Sequence, residues 1–203
     1  MKTKKPSTLA ICLIAALAFG PVTSFAQATA TFSGQAVALR ASAVGLALAL
    51  SDTGPLPASG GNLKTSLASV NVLGLVSAEV LSGATSGSGT SAQSQASVAN
   101  VSLLGGLVAA DLVKSNSSAT CSGSTAAVSG NSEIVGLVVA GQPVLVVNPN
   151  LAISLPGGIS VIVNEQTSSS GGNAGAMTVN ALHVTGPSID ITVSSAHSDI
   201  TCP

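Results

Sequence analysis

Residues Met177–Ala196 read MTVNALHVTGPSIDITVSSA, and this stretch decides the fold class. In its second half, Ile189, Ile191 and Val193 fall on one side of an extended chain, with Asp190, Thr192 and Ser194 on the other. A period of two is the mark of a strand with one buried and one wet face, the habit of antiparallel sheets. Met177–Val184 is a second such run, and Thr185-Gly186-Pro187-Ser188 between the two is turn chemistry.

The same grammar extends in both directions. Leu151–Leu155 and Ile159–Thr167 flank Pro156-Gly157-Gly158, a second hairpin. Ile134–Ala140 and Pro143–Val147 flank Gly141-Gln142, which predicts a type II′ turn with Gly at its first central position. Val70–Leu81 and Leu103–Val113 read as apolar strands. They share an echo, Gly74-Leu75-Val76-Ser77-Ala78-Glu79 against Gly106-Leu107-Val108-Ala109-Ala110-Asp111. Two copies indicate equivalent strands rather than a solenoid, which needs about three or more. Thr31–Leu50 is a long strand or a strand pair, with Val37 and Leu39 facing one way and Arg40 and Ser42 the other. Ser51–Asn62 is a loop by composition. The Gly- and Ser-rich tracts Gly83–Ser97 and Ser168–Gly175 are expected to be mobile loops. Ser91–Ala110 is Ala-rich, but its Ser and Thr content and Gly105-Gly106 favour strand or loop over helix. Roughly eight to ten short strands predict an all-β single domain, an antiparallel β-sandwich, with a β-helix or solenoid as the alternative.

The first 28 residues have the layout of a secretory signal peptide. Lys2, Lys4 and Lys5 precede the apolar run Leu9–Phe19; Gly20-Pro21 breaks it, and Ala26-Gln27-Ala28 offers a cleavage site. The run is too short to span a bilayer, which takes about 20 residues. The expectation is an exported chain cut after Ala28 or Ala26, leaving 29–203 as one β-rich domain without a transmembrane segment. Cys12 does not meet the lipoprotein pattern, because Ile11 precedes it and the apolar run continues past it. The two remaining cysteines, Cys121 and Cys202, most simply pair as one disulfide in an exported protein.

Composition excludes several classes of function. Beyond the leader, three basic residues (Arg40, Lys64, Lys114) face seven acidic ones (Asp52, Glu79, Asp111, Glu133, Glu165, Asp190, Asp199). No basic cluster exists to hold a phosphate backbone or an anionic lipid surface. Trp and Tyr are absent and Phe32 is the one aromatic residue outside the leader, so stacking platforms for bases or sugar rings are missing. No dinucleotide fingerprint, P-loop or serine-nucleophile elbow is present, and no cofactor is expected. Asn148, Asn150 and Asp190 are too scattered for a calcium loop.

The polar residues with most chemical potential are Glu165, His183, His197 and Asp199, with Glu133 upstream. His183 shares strand parity with Val179 and Ala181, and His197 with Ile189, Ile191 and Val193. Two His and a carboxylate can hold a hydrolytic metal with an open position for water, but no tight spacing supports this here. Structural histidines at strand ends are the preferred reading. Asn, Gln and Ser leave hydrogen bonding to carbohydrate as a further option, without the aromatic stacking it usually has.

Several stretches together give the chain a family resemblance. They are Phe32-Ser33-Gly34-Gln35-Ala36-Val37-Ala38-Leu39-Arg40, Asp52-Thr53-Gly54-Pro55-Leu56-Pro57 and Gly130-Asn131-Ser132-Glu133-Ile134. To these add Leu155-Pro156-Gly157-Gly158, Asn164-Glu165-Gln166-Thr167, Val179-Asn180-Ala181-Leu182-His183-Val184 and Ser194-Ser195-Ala196-His197-Ser198-Asp199-Ile200. In this order they resemble the choice-of-anchor P family of exported bacterial proteins. The resemblance implies a leader, one homology domain and a variable anchoring tail, and brings no catalytic residues. The ending Thr201-Cys202-Pro203 carries no sorting motif, apolar span or basic tail. The resulting expectation is a non-enzymatic, secreted or envelope-associated β-domain, extracellular or held non-covalently at the cell surface. Its partner would be an envelope or extracellular protein or glycan. The alternative is a metal-assisted hydrolase using Glu165, His183, His197 and Asp199.

Overall fold

A computed structural model describes residues 29–72 and 74–203; the expected leader, residues 1–28, lies outside them. The chain forms two antiparallel sheets packed face to face. It opens with β1 (Thr31–Ala43) and β2 (Leu46–Asp52), then crosses by a loop to β3 (Gly61–Val72), β4 (Val76–Ser88), β5 (Ser91–Leu103), β6 (Val108–Ser122) and β7 (Thr125–Val135). The short β8 (Val138–Val139) and β9 (Gln142–Pro143) precede the return through β10 (Leu151–Leu155), β11 (Ile159–Gly171), β12 (Ala174–Gly186) and β13 (Ile189–Thr201). One sheet, called A, has the order β10-β11-β12-β13-β1-β2. The other, B, runs β3-β4-β5-β6, with β7 pairing most of β6 and β8-β9 pairing its beginning. The architecture is the predicted sandwich and not a β-helix.

The strands are longer than the sequence suggested, for a visible reason. Most of the long strands reverse their inward parity part-way along; β7 (Thr125–Val135), which pairs with β6 only beyond its reversal, does not. In β13, Ile191 and Val193 are buried, and then Ser194, Ala196, Ser198 and Ile200. In β6 the buried set shifts from Val108 and Ala110 to Val113, Ser115, Ser117 and Ala119. The reversals line up across sheet A. The register leaves Asn164 opposite Ala181, Ala181 opposite Ser194, Ser194 opposite Ala38 and Ala38 opposite Ser51. Asn164, Ser194 and Ser51, on alternate strands of this row, have φ of 53°, 59° and 48°. Sheet B has the counterpart at Val80 and Asn100, with φ of 48° and 50°, where the β4–β5 register shifts. A left-handed residue turns the next side chain to the opposite face, so a row of them creases the whole sheet.

The creases divide the core. On one side lie Leu39, Leu103, Val108, Val161, Val163, Leu182, Val184, Ile191 and Val193, an aliphatic interior. On the other, most inward positions are small or hydroxylic, Met177 and Val179 excepted, and the sheets approach so closely that side chains of one reach the backbone of the other. Ser94 Oγ donates to the His197 carbonyl at 2.6 Å, Ser194 Oγ to Ala96 O at 2.9 Å, Ser198 Oγ to Ser117 O at 3.2 Å and Ser51 Oγ to Leu81 O at 3.2 Å. A hydroxyl has one proton, so Ser115 must donate to Ser194 and Ser117 to Ser198 in the 2.9 Å contacts that complete these chains. At the far end a second apolar cluster gathers Phe32, Leu56, Ala92, Ala119, Ile200 and Cys202. Ser194→Ala leaves Ala96 O and Ser115 without their partner in a dry interface. It is expected to cost about 1–3 kcal/mol in urea unfolding; an unchanged midpoint would mean that these bonds contribute nothing net.

Several sequence expectations need correction. Gly83–Ser97 is not a mobile loop but the β4–β5 hairpin, with Gly83, Ala92, Ser94 and Ala96 buried in the close-packed half. Ser168–Gly175 likewise closes the β11–β12 hairpin. Val70–Leu81 and Leu103–Val113 each span a turn between two strands rather than one strand. The β8–β9 turn is centred on Ala140-Gly141, one residue earlier than expected; both have positive φ (50° and 76°), which makes it type I′ rather than II′. The internal echo does mark equivalent strands. Val76 and Val108, and Ala78 and Ala110, are buried in β4 and β6, which flank β5, while Glu79 and Asp111 are exposed.

Cys121, near the end of β6, and Cys202, just past β13, stand at disulfide distance, with Cα atoms 5.6 Å apart across a sequence separation of 81. The pair ties sheet B to the end of sheet A.

Candidate functional site

Two polar surfaces come from this architecture. The first holds the residues singled out in the sequence. His183 does not share a face with Val179 and Ala181, because the crease at Ala181 intervenes. It projects from the outer face of sheet A, in the row Ile162–His183–Thr192–Arg40. His197 is displaced from the face of Ile191 and Val193 by the crease at Ser194 in the same way. His183 Nδ1 lies 3.0 Å from Glu165 Oε2, and its Nε2 lies 3.3 Å from Asp190 Oδ1. Asn180 Nδ2 donates to the same Glu165 oxygen at 2.7 Å. Asp190 and Asn180 are the members of this cluster that the sequence reading did not include; for Asp190, its outward parity beside a turn was the available signal.

The remaining candidates are elsewhere. His197 Nδ1 pairs with the Thr178 hydroxyl at 2.9 Å. It sits opposite Thr178, five positions along β12 from His183, roughly 16 Å of strand. Two imidazoles on one ion need their nitrogens within about 4 Å of each other, so His183 and His197 do not share an ion in this arrangement. Asp199 lies further still, in the row Ser33–Asp199–Ala176. Glu133 is on sheet B, 3.9 Å from Lys114 Nζ. Glu165 and Asp190 grip opposite edges of the His183 ring instead of converging on a point. Among the described residues no group of three His, Cys, Asp or Glu is arranged to hold a metal. Glu165 accepts from Asn180 and pairs with His183: Glu165→Ala is expected to cost about 1–2 kcal/mol in urea unfolding, without altering any surface binding of the protein.

The second surface was not legible as a site. Below its crease, the outer face of sheet B carries Asn62, Ser86, Gln93, Ser118 and Ser129 in one row across β3 to β7, and Lys64, Ala84, Gln95, Asn116 and Asn131 in the next. Ala84 is short between its cross-strand neighbours Lys64 and Gln95 and leaves a notch. Around it a cleft of about 420 Å³ reaches from Asn62 to Asn131, and a second of about 490 Å³ sharing Ala84 and Gln95 continues past Lys64 and Ser66. The result is a groove across five strands, roughly 19 Å at 4.8 Å per strand. Most of the residues that line it are Ser, Thr, Asn or Gln, whose carbon atoms share the exposed surface about equally with their polar ends. Among the described residues the amides of Asn62, Gln95, Asn116 and Asn131 bond to no protein group. Those of Gln35, Asn100, Gln166 and Asn180 are instead tied to Asp52, Glu79, Asn164 and Glu165.

Comparison with known protein families, with curated proteins and with solved structures finds no match. Among the described residues no helix is long and apolar enough to cross a membrane.

Proposed function

We propose that this is a non-enzymatic exported β-domain, working in the cell envelope or extracellular space through contacts made by the outer face of sheet B. One observation carries the reading: a broad groove lined by side-chain amides and hydroxyls, several of them without an internal partner, displayed on a sandwich held by cross-sheet hydrogen bonds and a cysteine pair. A rigid sheet loses little entropy when its face is engaged, which favours a binding role for such a surface. The leader-like first 28 residues, the cysteine pair and the resemblance to choice-of-anchor P proteins support export. The hydrolase alternative has less support, since its four residues are spread along sheet A and three of them are hydrogen-bonded to neighbours.

A bind-back assay tests the proposal. The purified, oxidised protein is added to washed cells of the producing organism and to their isolated envelope fractions. Saturable retention on either is expected; retention no greater than that of an unrelated secreted protein would remove the surface role.

A further inference from the structure

We infer that the groove on sheet B binds an uncharged polysaccharide, lying across the strands and held edge-on by hydrogen bonds. This rests on the contact role proposed above and names the ligand class. The chemistry of the lining selects it. Each amide of Asn62, Gln95, Asn116 and Asn131 offers both a donor and an acceptor, as do the hydroxyls of Ser86, Ser118 and Ser129. A sugar hydroxyl is likewise donor and acceptor at once, so a polyhydroxylated chain can satisfy such a surface wherever it touches.

The competing ligand classes lack their recognition elements here. Nucleic acid needs several cations along a backbone, whereas the groove has Lys64 at one end and Lys114 at its margin, 3.9 Å from Glu133. An amphipathic helix needs an apolar trough, and Ala84 is the one apolar side chain in the two central rows. An extended peptide adds to a sheet through its free edge, and this groove lies on a face. With no aromatic side chain in the lining, ring stacking contributes nothing. Affinity must come from many modest hydrogen bonds, which suits a long repeating ligand that engages the groove at successive units.

The free amides supply the second line of support. Where an Asn or Gln of sheet A or of the creases is tied to a carboxylate or a neighbouring amide, it serves the fold. On this face Gln95, Asn116 and Asn131 lie side by side on three neighbouring strands, and Asn62 lies in the next row on β3, beyond Ala84.

Affinity electrophoresis tests the inference. The producer's envelope polysaccharide, freed of protein, is split by anion exchange into neutral and acidic pools, and each is cast into native gels. The oxidised protein is expected to be retarded by the neutral pool. Gln95→Ala combined with Asn116→Ala should weaken retardation by about four- to a hundredfold, since each lost hydrogen bond is worth roughly two- to tenfold. Ala84→Gln, which fills the notch from an outward position, should abolish it. Thr167→Gln, on the outer face of sheet A, should change nothing. Unfolding midpoints of the variants confirm that they are folded. Retardation by the acidic pool alone, or equal retardation of wild type and both groove variants, overturns the inference. Retention on envelope protein but on neither polysaccharide pool overturns it while leaving the contact role standing, whereas no retention on any fraction removes both.

Discussion

Reduction of the Cys121–Cys202 bond is expected to lower the melting temperature by about 10 °C. The bond closes a loop with a sequence separation of 81. A cross-link over that length removes enough freedom from the unfolded chain to stabilise the fold by up to roughly 4 kcal/mol. For a chain of this size each kcal/mol moves the midpoint by roughly 2–4 °C. The folded structure itself should survive reduction. The chain end is also held by Cys202 N donating to Asn173 O at 2.7 Å, and by Asn173 Nδ2 donating to Cys202 O at 3.2 Å. Cys202 is buried among Phe32, Ile200 and Ala126, so Cys202→Ser adds a polar group to an apolar cluster and should cost slightly more than reduction. Calorimetry with and without reductant decides the matter: a shift under about 2 °C would mean that the bond is unformed or that the unfolded chain does not feel it.

Gly83→Val is the second large effect, expected at about 3 kcal/mol or more. A Cβ at Gly83 would sit 2.8 Å from Ser51 O and 3.1 Å from Ala36 O, both backbone atoms of the opposite sheet. Neither can swing aside as a side-chain tip would. The sheets would have to separate locally, stretching the Ser51–Leu81 hydrogen bond nearby. In strands Val is otherwise preferred over Gly, so a loss of stability isolates the steric term. Gly171→Ala is the control. Its Cβ meets nothing within 4 Å and its φ is not positive, so urea unfolding should move by no more than about 0.5 kcal/mol. A stabilised Gly83→Val would show that the two sheets are not in the contact described.

The fold class was legible because alternation with a period of two survives within each half-strand, as at Ile189–Val193 and Leu151–Leu155. The reach of the strands was not. Their parity reverses at Ser51, Val80, Asn100, Asn164 and Ser194; the two Asn are types that tolerate a left-handed backbone, but nothing about the Ser residues announces one, and Val at such a position is strongly disfavoured sterically. The same reversal misplaced His183 and His197, whose faces follow from counting through the crease. The Gly- and Ser-rich tracts resembled loops because composition alone does not separate a solvated linker from strands that are small so that two sheets can touch. The amide groove was invisible for a different reason. Asn62, Gln95, Asn116 and Asn131 come from four strands and become neighbours through register alone, with no spacing in the chain to betray them. Glu165 and His183, by contrast, were grouped correctly, being joined by one hairpin.

The most direct measurement is a retention isotherm on washed cells of the producing organism, comparing wild type with Ala84→Gln and Thr167→Gln. Saturable binding by wild type and by Thr167→Gln, with loss of binding in Ala84→Gln, is the expected result. Equal retention of all three proteins, or none above an unrelated secreted control, would contradict a contact role for the outer face of sheet B.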